Sequence, residues 1–82
     1  MNTKGQAGPL ARAIAQQSAE WLEAVYPMVY DALGQEIEAG HTILDVRRIL
    51  RRIFGNDLRD AFVLRVLQAA EFMFNEQITI IR

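Results

Sequence analysis

The chain has 82 residues, 51% of them hydrophobic, no cysteine, and a formal charge of −1 with a pI near 5.7. These totals set a single small domain without disulfides or thiolate metal sites, and without a general attraction to nucleic acid or anionic membranes. A domain of this size buries only about 60% of its unfolded surface, so the apolar content exceeds what one small core absorbs, and a homodimer is expected.

The charge is unevenly spread. Residues 1–40 carry Lys4 and Arg12 against Glu20, Glu23, Asp31, Glu36 and Glu38, a net −3. Residues 41–82 carry seven arginines against Asp45, Asp57, Asp60, Glu71 and Glu76, a net +2. The two halves can therefore pair with each other, or two chains can pair head to tail.

Met1–Gly8 is polar and glycine-containing, which predicts a disordered tail over residues 1–8 ahead of a single helical domain over 9–82. No signal-peptide core follows it, and no later segment gathers the roughly 20 apolar residues of a membrane span. The expected compartment is the cytoplasm.

From Pro9 the pattern is helical. Leu10, Ile14, Trp21, Leu22, Val25, Tyr26, Met28, Val29, Leu33 and Ile37 fall on one half of the helix circumference. Pro27 interrupts the hydrogen-bond ladder, yet the apolar phase crosses it without slipping, so one long helix kinked at Pro27 is preferred to two helices. Gly40 ends it as a left-handed stop. Thr42 is the expected N-cap of the next helix, with Asp45 reaching back, and Ile43, Val46, Ile49, Leu50, Ile53 and Phe54 form its buried stripe. Gly55 stops that helix, and Asn56 or Asp57 caps the third.

The third helix, Leu58 to Phe74, is apolar around most of its circumference and needs cover on several sides. The first helix supplies part of that cover, and a dimer seam between the first helix and this third, central one the rest. Asn75-Glu76-Gln77 reads as a turn. Ile78–Ile81 is β-prone but finds no alternating partner in its own chain, so it either pairs with another chain or prolongs the helix. The fold class is all-α: a small bundle of three main helices with a short C-terminal strand or helix extension.

The strongest polar signal is VRRILRR. Arg47/Arg51 and Arg48/Arg52 are i, i+4 pairs, so four guanidinium groups share one zone, with Arg59 close by in sequence. Such a zone suits phosphates or carboxylates held by bidentate hydrogen bonds. The plainer reading is a solvated face near a helix C-terminus, where the dipole favours cations. Helix, Gly55 turn, helix also suggests a DNA-reading helix-turn-helix, but Leu58-Arg59-Asp60-Ala61-Phe62-Val63-Leu64 offers little to base edges. Nucleic acid is thus a secondary expectation, bound through its backbone alone.

Catalysis has poor raw material. His41, the single histidine, stands beside Gly40 at a helix junction and suits a loop or capping role, and Ser18, the single serine, has no sequence-local base. The carboxylates lack the converging spacing that metals need. No enzyme activity, cofactor or metal is expected. Trp21, Tyr26 and Tyr30 are aromatic anchors of the type that dominates protein interfaces, with Phe62, Leu67 and Met73 as apolar companions on the central helix.

The chain's size and its Ala70–Ile80 segment, AEFMFNEQITI, loosely resemble acyl carrier proteins. Those proteins carry their phosphopantetheine on a serine in an Asp-Ser-Leu context at a helix start; this chain has Asn56-Asp57-Leu58 there. No family is assigned on that basis. The expected function is a protein–protein interaction module, a small regulator, adaptor or inhibitor that occupies a partner's surface. The analogy is with compact helical regulators of bacteria and phages, in size and composition only.

Overall fold

The first helix, α1 (Pro9–Val25), opens where the sequence places it. Pro9 stands in its first turn, where a missing N–H costs nothing, and the extended Gly8 accepts the Arg12 N–H at 3.0 Å. The computed structural model describes residues 8–74 and 77–82. Met1–Ala7 of the expected tail, and Asn75 and Glu76 of the expected turn, lie outside the described residues.

At Pro27 the chain forms two helices, α1 and α2 (Pro27–Glu38), instead of the one kinked helix preferred from the sequence. Tyr26 separates them with φ −126° and ψ 61°. Proline disfavours the helical conformation in the residue before it and cannot donate to the carbonyl four residues back. Tyr26 serves both ends: its N–H donates to Leu22 at 2.9 Å, and its carbonyl accepts from Val29 and Tyr30 at 2.9 and 3.1 Å. The continuous apolar phase reflects two helices packed on one core. Gly40, with φ 86°, ends the turn after α2 as expected.

Between Thr42 and Val46 the structure departs from the capping box. Ile43–Asp45 is a short strand, β1, and α3 (Val46–Phe54) starts after it. The N-cap is Asp45, whose carboxylate accepts the Arg48 N–H at 3.1 Å. Within β1 the side chains alternate, so Leu44 is fully buried while Ile43 is 57% exposed and leaves the predicted helical stripe.

The last helix, α4, runs Asp60–Phe74. Its opening bond is Val63 N–H to the Arg59 carbonyl at 3.0 Å, so Asn56 and Asp57 lie in the connecting loop and do not cap it. Thr79–Ile81 forms β2, parallel to β1, with Ile43, Leu44 and Asp45 opposite Thr79, Ile80 and Ile81. The Thr79 N–H donates to the Thr42 carbonyl at 2.9 Å. The C-terminal segment is therefore a strand, and its partner is in its own chain; β1 is too short to show an alternating pattern in sequence.

All four helices and β1 contribute to one core, built on Leu22, Val29, Leu33, Leu44, Ile49 and Val66. The largest helix–helix contact joins α1 and α4, with the small residues Ala19, Ala69 and Ala70 buried. Much of the cover that α4 demanded thus comes from within the chain, and the apolar faces offered as a dimer seam are largely used there. The all-α class stands, with four helices and a two-stranded ribbon among the described residues. Among the described residues, no helix is long and apolar enough to cross a membrane.

Candidate functional site

Successive residues of α3 turn by 100°, so Val46, Ile49 and Leu50 face the core while Arg47, Arg48, Arg51 and Arg52 fill the opposite arc. All four arginines are exposed, as is Arg59 in the following loop. Their tasks differ. The Arg47 guanidinium donates to the Arg82 carbonyl, and the Arg82 guanidinium pairs with Glu71 of α4, so Arg47 belongs to a clasp around the end of β2. Arg48 lines an open depression with His41, Thr42, Ile43, Asp45 and Ile81. Arg51 and Arg52 stand in the last turn, where the negative end of the helix dipole favours them. Among the described residues, no carboxylate forms an ion pair with Arg48, Arg51, Arg52 or Arg59.

The aromatic anchors have a different place. Trp21, Tyr26, Phe54 and Phe62 form an edge-to-face cluster in which Tyr26 lies 5.2 Å from Trp21 and 5.1 Å from Phe62. Phe54 meets Tyr26 at 5.9 Å and Phe62 at 5.6 Å. Arg65 sits over the Trp21 ring, 4.0 Å from its centroid, in cation–π geometry. The cluster joins the α1–α2 corner to the end of α3 and the start of α4. Trp21, Tyr26, Tyr30, Phe62 and Met73 are half-buried against the core. Leu67 is 2% exposed, which makes it a core residue and removes it from any partner surface.

Sequence reasoning placed Phe54 in the buried stripe, yet it is 39% exposed at the rim of the aromatic cluster. It also left His41 in a loop role without its partner: the His41 Nδ1 lies 2.8 Å from Glu36 Oε1. The Phe54 placement carried no local signal, because it depends on how the α3–α4 connection brings separate elements together, whereas Glu36 is a local partner that the turn ending α2 at Gly40 brings within reach of His41. Ser18 is buried on the inner face of α1. Among the described residues, no three of His, Asp or Glu are placed to hold one metal ion.

The chain matches no family model, no curated protein and no solved structure. Any functional reading therefore rests on the surface itself.

Proposed function

We propose that the protein is a non-enzymatic interaction module that docks an acidic face of a partner protein through the arginine side of α3. One observation carries this reading: Arg48, Arg51 and Arg52 project from one short helix without a carboxylate partner among the described residues. The planar guanidinium fork is pre-organised for a carboxylate, so less side-chain freedom is lost per hydrogen bond when these arginines pair with acids. The aromatic residues support the site from behind, since their cluster fixes the end of α3 against α1 and α4.

The test is a comparison of proteins co-purified with the full chain, with Arg51→Glu/Arg52→Glu, and with the distant control Arg12→Glu. A partner captured by the first and third and lost by the second supports the reading, as does its release at high salt. Equal capture by all three contradicts it. A random-sequence DNA duplex run alongside tests the rival reading. If the duplex shifts with steep salt dependence and the double variant abolishes the shift, the arginines serve phosphate groups instead.

A further inference from the structure

Parallel sheets are normally covered on both faces, because the crossovers that build them lay helices there. The β1–β2 ribbon departs from that rule. Its inner face is covered, with Leu44 fully buried and Ile80 packed against the core. Its outer face carries Ile43 and Ile81, which lie on the same side of the ribbon in the observed register and are 57% and 47% exposed. Among the described residues each strand has a single strand neighbour, which leaves one edge of its backbone N–H and C=O groups without a strand partner. Along β1 runs the depression of about 600 Å³ that has Ile43 and Ile81 as its apolar lining and Arg48 and His41 among its polar groups. Arg52 follows Arg48 one turn along α3, on the same side of the helix.

We propose that this groove binds an extended segment of a partner protein in which apolar residues alternate with carboxylates. The proposal rests on the interaction-module reading above and specifies its partner. The segment lies along the outer face of the ribbon, where its apolar side chains cover Ile43 and Ile81 and its carboxylates pair with Arg48 and Arg52. Charge selects the occupant. Asp45, the one acid lining the groove among the described residues, already accepts the backbone N–H of Arg48 as the cap of α3, whereas the arginine side chains beside it lack carboxylate partners among the described residues. A basic segment would set like charges together. Single-stranded nucleic acid favours aromatic stacking platforms, and no Phe, Tyr or Trp lines this groove.

The experiment is selection of displayed random peptides on the immobilised full chain, followed by fluorescence anisotropy with a synthetic copy of the selected sequence. The expected peptides alternate acidic and apolar residues, and their affinity falls about tenfold for Arg48→Glu, the loss of one charge-assisted contact. Ile43→Asp should weaken binding comparably. Ile43→Thr keeps the β-branched shape and should weaken it less, which guards against an unfolded Asp variant. Selected peptides without acids, binding unchanged by both Arg48→Glu and Ile43→Asp, or failure to select any peptide overturns the groove. If those results accompany partner capture that still depends on Arg51 and Arg52, the groove falls and the module reading stands. If that capture is equally unaffected by Arg51→Glu/Arg52→Glu, both fall. Displacement of the selected peptide by oligothymidylate with equal loss in Arg48→Glu would assign the arginines to phosphate and overturn the protein partner.

Discussion

Gly55 holds φ 84° and ψ −162°, a region open to glycine and strained for every L-residue with a side chain. A Cβ built there meets nothing within 4 Å, so the cost of Gly55→Ala is one of backbone conformation alone. Chemical denaturation should show a loss of about 1–3 kcal/mol. Gly34 provides the opposite sign. It lies within α2, its φ is not positive, and a Cβ there also meets open space. Gly34→Ala should therefore stabilise the protein by about 0.5–1 kcal/mol, through the lower backbone freedom of the unfolded chain. A stabilising Gly55→Ala or a destabilising Gly34→Ala would contradict the helix boundaries. Both helix-ending glycines, Gly40 and Gly55, were legible in sequence because a positive φ is a local demand. The unequal fates of Arg47 and Arg51 were not, since the clasp on Arg82 joins residues 35 positions apart.

At the scale of elements, the α3 start shows where local reading ends. Thr42 and Asp45 both suit an N-cap, and the choice falls to Asp45 because Thr42 spends its carbonyl on Thr79 and extends into β1. Asp45→Ala should cost about 0.5–2 kcal/mol, the usual loss of a capping carboxylate. Thr42→Ala, at an exposed position, should stay within about 0.5 kcal/mol. Reversed magnitudes in urea denaturation would restore the capping box. The α1–α2 corner is a second case. Helical periodicity carried the apolar phase across Pro27 as one kinked helix, and it could not see that Tyr26 packs against Trp21, Phe54 and Phe62 from three separate elements. Those contacts make the corner a tertiary feature as well as a proline effect. Tyr26→Ala should lose about 2–4 kcal/mol, combining truncation of a large ring with three edge-to-face contacts. Tyr26→Phe keeps the ring and should recover most of that loss. Near-equal stabilities for the two variants would show that Pro27 alone sets the corner.

At the scale of the whole molecule, the core closes within the chain, yet the described residues leave one apolar stripe of α1 uncovered. Residues 8–14 are exposed throughout, so the first turns of α1 lack the packing that normally holds short helices in water. On the helical wheel Leu10, Ile14 and Val25 fall within a 60° arc, and they are 74%, 41% and 55% exposed. Two copies laid stripe to stripe would bury this arc in a self-complementary contact, the isologous form that closes as a dimer. The contact is apolar, so screening leaves it intact, unlike a head-to-tail pairing of the acidic α1–α2 surface with the arginines of α3. Light scattering should give twice the 9.3 kDa chain mass at both low and high salt. Leu10→Asp/Ile14→Asp should give the single-chain mass with helical circular dichroism largely retained, while Arg51→Glu/Arg52→Glu should leave the dimer in place. A dimer that dissociates only in salt would transfer the contact to the charged faces. A wild-type chain of single mass would leave the α1 stripe as open surface and assign the arginine side of α3 to a monomeric module.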